Sequence, residues 1–319
     1  MKCVLLILDN SPVTSVTGPM EIFSLANSLS KPEHRLQLSL ASLDGQPVSC
    51  LGGLQLSVHG KLEDHQDADL IIIGAIGHPS LRPEHFDPSI LSWLQTCHTQ
   101  GAKIASICTG AFVLAATGLL DEKKATTHWQ CSDLFQQRFP RVLLQSEKML
   151  TKQQNLYCSG GASAYQDMSI FLIREFYGDE IAIQCAKAIL IDGDRCSQSQ
   201  YASFLPTRQH SDELIHQIQD WLDLHLIEAF TIVDLAKQIH LSERQFKRRF
   251  KQATSESPLA YIQALRIETA KKSLETSKRT IESISRNSGY DDVRFFRQLF
   301  KRMTGLAPSE YRTKFSLGN

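Results

Sequence analysis

Residues 231–251 read TIVDLAKQIHLSERQFKRRFK, and residues 280–301 read TIESISRNSGYDDVRFFRQLFK. The second stretch repeats the first. Thr231-Ile232 returns as Thr280-Ile281 and Leu235-Ala236 as Ile284-Ser285, each 49 positions on. After an intervening turn the offset becomes 50, and Arg244, Phe246, Lys247, Phe250 and Lys251 return as Arg294, Phe296, Arg297, Phe300 and Lys301. Each copy predicts a short helix, a tight turn and a second helix. Thr231 is placed to cap the first, with Asp234 at its third position; His240-Leu241 forms the turn, and Ser242 caps the next helix with Gln245 completing a capping box. In the second copy Gly289 supplies the positive φ that ends a helix, and Asp291 or Asp292 caps the one that follows. Two helix-turn-helix units are therefore expected, at about 231–252 and 280–303.

The second helix of each unit has two faces. Phe246 and Phe250, like Phe296 and Phe300, stand four apart and should point inward together. Arg244, Lys247, Arg248 and Lys251 take other phases, as do Arg294, Arg297, Gln298 and Lys301, and these are the candidate DNA-binding residues. A cationic outer face suits a major groove, because Arg bonds a guanine edge with two donors and Lys neutralises phosphate. Between the units, Ser257 and Pro258 open a predicted helix to Thr276, about 18 residues or roughly 27 Å long. Such a rod can hold two recognition helices about one duplex turn, roughly 34 Å, apart.

Charge supports a polyanionic partner. The chain is neutral overall, yet residues 231–319 carry 18 Lys and Arg against 9 Asp and Glu, a net of +9, and residues 1–230 carry the opposite balance of −9. From about Asp212 to Phe315 the chain resembles the AraC/XylS-type DNA-binding domain, through Ser288-Gly289-Tyr290, Phe296, Phe300-Lys301, Gly305 and Pro308-Ser309-Glu310-Tyr311-Arg312. The resemblance implies a transcription regulator with double-stranded DNA and RNA polymerase as partners. An all-α DNA-binding domain is expected over 212–317. The polar run from Ile191 to His210, with Asp192, Gly193, Asp194, Ser197, Gln198, Ser199 and Gln200, predicts a linker at 191–211.

Residues 1–190 predict a different class, an α/β parallel-sheet sandwich. Lys2–Leu8, Asp69–Ile73 and Lys103–Ile107 read as buried strands, and helices are expected at Gly18–Ser28, Pro88–Gln100, Thr109–Thr117, Trp129–Phe139 and Ala162–Tyr177. Turn chemistry falls at Asp44-Gly45, Leu51-Gly52-Gly53, Gly74 to Pro79 and Ser159-Gly160-Gly161. Ser106-Ile107-Cys108-Thr109-Gly110 has the order of a nucleophile elbow: a sharp turn would lift Cys108 above the sheet, beside a helix N-terminus expected to favour its thiolate. His128, in Ala125-Thr126-Thr127-His128-Trp129, could reach that thiol only through the fold.

Ile104 to Trp129 resembles the signature block of ThiJ/PfpI-type domains, whose fold is flavodoxin-like. With the DNA-binding part behind it, and with Gly18-Pro19-Met20-Glu21-Ile22-Phe23 and Arg195, Gln198 and Gln200, the chain resembles GlxA-type AraC regulators. This likeness implies a sensor of a small effector, such as an amino-acid or quaternary-amine derivative, and pairing of two chains through the α/β domain. Enzymes of the group place Glu, and the regulators often Asp, three residues before the Gly-Pro pair; here that position is Ser15. A hydroxyl is a poor acid/base partner near neutral pH, so no enzyme activity and no catalytic residue is expected. The candidate ligand pocket comprises Ser15, Gly74, Ala75, Ile76, Cys108, Thr109 and His128, at the carboxyl ends of parallel strands. Two alternatives stand beside this reading: a cysteine-dependent amidase or glyoxalase-like enzyme fused to a DNA reader, and a thiol redox sensor acting through Cys108.

All eight cysteines precede residue 197 without a C-x-x-C pair, so free thiols and no zinc site are expected, and no cofactor. No apolar run approaches the roughly 18 to 20 uncharged residues of a membrane helix, and Met1–Leu8 lacks the basic start of a signal peptide. A cytoplasmic protein is the expectation.

Overall fold

The computed structural model describes residues 1–77, 86–161, 163–192 and 195–316. His78-Pro79 of the expected turn, Ala162 at the expected start of a helix, Gly193 and Asp194 of the polar run, and Leu317 lie outside the described residues. Contacts divide the chain into two units, Met1–Ser199 and Gln200–Asn319.

In the first unit β1 (Lys2–Leu6) leads into α1 (Thr14–Leu29), then β2 (Gln37–Ser42) and the short β3 (Val48–Ser49), β4 (Gln55–Leu56) and β5 (Gly60–Lys61). Next come β6 (Leu70–Ile73), α2 (Pro88–Thr99), β7 (Lys103–Ile107) and α3 (Gly110–Ala116). The unit continues through β8 (Lys124–Ala125), α4 (Ser132–Arg138), β9 (Leu143–Leu144), β10 (Leu150–Gln153), β11 (Leu156–Ser159), α5 (Ala164–Tyr177) and α6 (Asp179–Ala188). Seven strands form one sheet in the order β10-β11-β7-β6-β1-β2-β5, parallel except for the β10-β11 edge pair.

Alternate residues of the central strands feed two apolar layers. Val4, Leu6, Ile71, Ile73 and Ile104 pack with Trp93, Leu94 and Phe112 on one face; Cys3, Leu5, Leu70, Ile72, Ala105 and Ile107 pack with Phe23, Met168 and Leu172 on the other. Both faces being covered, the strands read as unbroken apolar runs. This is the expected α/β sandwich.

Several boundaries differ from the sequence expectation. Helix α1 starts at Thr14 rather than Gly18, with Pro19 inside it. Gly18 serves a close approach, since a Cβ there would lie 2.2 Å from the Tyr165 ring on α5. The expected helix at 129–139 is a single 3₁₀ turn, Trp129–Cys131, followed by α4. β2, β10 and β11 escape a reading based on apolar runs because β2 is half polar, the β10 edge strand carries Thr151, Lys152 and Gln153, and β11 has only four residues.

Among the described residues of the second unit the regular elements are all helices: α7 (Glu213–His225), α8 (Ile232–Gln238), α9 (Glu243–Thr254), α10 (Pro258–Thr276), α11 (Ile281–Asn287), α12 (Val293–Thr304) and α13 (Pro308–Phe315). The capping boxes fall where the spacing places them: Asp234 N–H donates to Thr231 Oγ1 (3.2 Å), and Ser242 N–H to Gln245 Oε1 (3.1 Å). Asp292, rather than Asp291, caps α12. Two separate cores result. Phe246 and Phe250 join Ile215, Leu222, Leu235, Tyr261 and Ile262; Phe296 and Phe300 join Ile267, Ala270, Leu274, Ile284 and Tyr311. The first turns of α10 thus serve one core and its later turns the other.

The expected linker needs correction. Residues 195–199 are packed within the first unit, and the second begins at Gln200. Lys271, buried on α10, donates to the carbonyl of Ala202 and to Glu268, which also accepts from Phe204 N–H (3.1 Å); Arg208 pairs with Asp220 and Asp223 at 2.6 Å each. Polar composition marked these residues as a tether, but their polar groups have partners distant in sequence.

Candidate functional site

On α9, Arg244, Lys247, Arg248 and Lys251 stand at i, i+3, i+4 and i+7, one exposed stripe opposite the buried Phe246 and Phe250. On α12, Arg294, Arg297, Gln298 and Lys301 repeat it opposite Phe296 and Phe300. Two of these cations are engaged on the surface: Lys247 with Glu243 (2.5 Å), and Arg297 with Glu282 of α11 (2.7 Å). Exposed pairs of this kind contribute about 0–1 kcal/mol, so they can be exchanged for phosphate or a base edge. Their present effect is to hold two long side chains close to the helix surface.

One residue that sequence reasoning missed connects the two helix-turn-helix units. Arg266, on α10, donates to three carbonyls, those of Leu226, Glu228 and Gly289, each at 2.9 Å. Its guanidinium lies over the rings of Phe230 (5.3 Å), immediately before the first unit, and Tyr290 (5.4 Å), in the turn of the second. No carboxylate pairs with it among the described residues. Gly289 is required twice over, by its φ of +80° and because a Cβ would lie 2.8 Å from the guanidinium.

In the α/β unit the elbow forms as its sequence suggests. Cys108 has φ 56°, a left-handed conformation uncommon for a side chain of this kind. Its N–H donates to Ser159 O (3.1 Å), and its carbonyl accepts from Thr127 Oγ1 (3.0 Å). At Gly110 a Cβ would sit 2.6 Å from Gly74 O, so glycine lets α3 start against the end of β6. Thr109 Oγ1 donates to Ile76 O (2.5 Å); Ser15 Oγ donates to Pro12 O (2.7 Å) and accepts from Ala75 N–H (3.0 Å). The fold therefore gathers Ser15, Gly74, Ala75, Ile76, Cys108 and Thr109 at the carboxyl ends of β1, β6 and β7. Ser15 holds backbone in place.

His128 is not joined to Cys108 by a hydrogen bond among the described residues. Its Nδ1 accepts from Gln130 N–H (3.1 Å) and its ring stacks on Trp129. Burial holds the imidazole below its usual range, and burial pushes the Cys108 thiol up to about 12. The expected thiolate is thus corrected: α3 has only seven residues, no cation pairs with the sulfur among the described residues, and desolvation outweighs the helix terminus. A thiol with a raised pKa stays protonated until the pH nears that value. Iodoacetamide at about pH 8 should therefore label exposed Cys196 on the order of a hundredfold faster than Cys108, as followed by mass spectrometry of the proteolytic peptides that carry each cysteine. Equal rates would mean that the thiol is accessible and ionised.

Among the described residues no disulfide joins any of the cysteines. Among the described residues no group of three or more His, Cys, Asp or Glu could hold a metal ion, and no helix is long and apolar enough to cross a membrane.

A doubly covered parallel sheet with a cysteine elbow, followed by two helix-turn-helix units with cationic outer stripes, defines an AraC-type transcriptional regulator with an α/β domain in front. The DJ-1/PfpI family pattern matches residues 2–175, and a helix-turn-helix domain pattern matches residues 235–314. The chain belongs to the DJ-1/PfpI family, with an AraC-type DNA-binding domain following. It is 26% identical over 313 residues to the HTH-type transcriptional regulator CdhR of Pseudomonas aeruginosa, covering 98% of this chain and 91% of that protein. The α/β part is 31% identical over 168 residues to the isonitrile hydratase of Pseudomonas putida, covering 52% of this chain and 68% of the hydratase. An AraC family transcriptional regulator from Pseudomonas putida has the same α/β fold, at a TM-score of 0.53 and 21% identity over 59% of this chain and 98% of that one.

Proposed function

We propose that the chain is a sequence-specific DNA-binding regulator controlled by a small metabolite, with α9 and α12 entering successive major grooves. The observation that carries it is the repeated stripe: four polar or cationic side chains at helical spacing on each second helix, outward from a buried Phe pair. Nineteen residues of α10 span about 28 Å, close to one duplex turn of roughly 34 Å. In this reading Arg244, Lys247, Arg248, Lys251, Arg294, Arg297, Gln298 and Lys301 contact DNA. The effector, of amino-acid or quaternary-amine type, sits near Ser15, Gly74, Ala75, Ile76, Cys108, Thr109 and His128. The family likeness supports RNA polymerase as a partner and pairing of chains through the α/β unit. A neutral buried thiol and a Ser15 engaged with backbone weigh against hydrolysis by the same elbow.

Selection of bound duplexes from a randomised pool tests the DNA reading. Arg248→Ala and Arg297→Ala should each relax base preference, by about 1–3 kcal/mol of discrimination, at positions about 10 base pairs apart. Affinity should fall with salt at a log-log slope of about −0.9 per phosphate neutralised. If both variants disturb the same bases, or neither disturbs any, the two-groove arrangement fails.

A further inference from the structure

The segment leading out of the α/β unit ends in a side chain that the unit encloses. Gln198 is 2% exposed. Its Oε1 accepts from the backbone N–H groups of Trp129 (3.3 Å) and Gly161 (3.2 Å). Its Nε2 donates into a ring of oxygens: Ser146 O (2.7 Å), Thr127 O (2.8 Å), Thr126 Oγ1 (3.2 Å) and Lys148 O (3.2 Å). Only a primary carboxamide offers an acceptor to the two N–H groups and donors to the oxygens; Glu would set a carboxylate oxygen against the ring, and Met would leave both N–H groups without a partner. The backbone reinforces the fit. Ser197 pairs antiparallel with Lys148, Gln198 N–H donates to Glu147 O (2.9 Å), and Arg195 Nε donates to Asp167 (3.0 Å). Gly160 leaves the room, since a Cβ there would lie 2.7 Å from Gln198 Nε2.

The cradle adjoins the elbow. Thr127, whose carbonyl takes the Gln198 amide, holds the Cys108 carbonyl with its hydroxyl, and Gly161 faces both His128 and Gln198. One residue beyond Ser199 the DNA-binding unit begins. We propose that the α/β unit contains a carboxamide-binding cradle whose ligand is the chain's own Gln198, and that this latch couples the elbow to the DNA-binding unit. An effector that shifts the 126–129 loop would change how firmly the segment is held, and with it the freedom of the unit that follows. The coupling rests on the reading of the chain as an effector-controlled DNA binder; the cradle itself does not.

The test uses the full chain, with Gln198→Ala and, as an independent way of emptying the cradle, Gly160→Ala. Hydrogen exchange at the Trp129 and Gly161 amides and tryptic cleavage after Arg195 report the latch; affinity for a duplex selected by the wild-type chain reports the coupling. Thermal melting of each variant identifies a loss of folding, and the variant that stays folded decides. Both variants should speed exchange and cleavage about tenfold or more and shift the DNA Kd at least about threefold in the same direction. Unchanged exchange and cleavage would overturn the latch. Faster exchange with an unchanged Kd would overturn the coupling and leave a purely structural cradle. Failure of the wild-type chain to enrich any duplex would overturn the regulator reading and the coupling with it, while the exchange data still judge the cradle.

Discussion

Replacing Phe246 and Phe296 together by Ala is expected to unfold the second unit rather than merely weaken its binding. Both rings are fully buried, Phe246 against Phe250 in one core and Phe296 against Tyr290 and Phe300 in the other. Truncating a buried Phe costs about 3–5 kcal/mol, against a total stability of about 5–15 kcal/mol for a domain. Two such losses in one unit should exhaust it. Far-UV circular dichroism of the full chain should lose much of its helical signal at room temperature while the α/β unit still melts cooperatively at higher temperature. Retained helicity with abolished DNA binding would instead mean that these rings meet DNA.

The second large effect is expected at Arg266. Arg266→Ala removes hydrogen bonds to the carbonyls of Leu226, Glu228 and Gly289 and the cation shared by Phe230 and Tyr290. Hydrogen bonds from a charged donor contribute about 1.5–3 kcal/mol each in partly buried settings, though a lost group's partners can recover some of this from water. A net loss on the order of 3 kcal/mol is expected. Arg266→Lys should not rescue it, because one ammonium cannot reproduce a planar fork that reaches three separate carbonyls. The distinguishing measurement is binding to a selected duplex and to the same duplex with half a turn inserted between its two contacted regions. Wild type should reject the longer spacing, whereas the variants, with the units less firmly fixed, should discriminate less. Wild-type discrimination in Arg266→Lys would show that charge alone suffices.

What the sequence disclosed and what it withheld divide along the range of the interactions. Caps, turns and the inward phase of Phe246, Phe250, Phe296 and Phe300 depend on residues within a few positions of one another, and α10 runs over Pro258–Thr276 as its cap and length imply. The apolar β1, β6 and β7 were equally legible. Edge strand β10 was not, because three of its four residues, Thr151, Lys152 and Gln153, are polar. The elbow at Cys108 could be read from local order, but its ionisation could not, since desolvation is a property of the assembled layers. Arg266 looked like an unremarkable polar residue, and Gln198 was legible only as part of a family likeness, without its role. Gln198 meets partners up to 72 positions away, and Arg266 meets partners 23 to 40 positions away, beyond the reach of any periodicity.

The division of the DNA-binding unit into two cores has a bearing on its descent. The Phe296 core and the Phe246 core draw on different residues of α10, so a change that remodels the packing beneath one recognition helix need not disturb the other. The outer stripes are freer still, because their side chains contribute nothing to either interior. On the proposed two-groove reading, a lineage can therefore exchange Arg297 or Gln298 while Arg244 and Arg248 keep their ancestral target. If each stripe reads its own half-site, as proposed, new operators become reachable by altering one half-site at a time, each intermediate still anchored to DNA through the unaltered half.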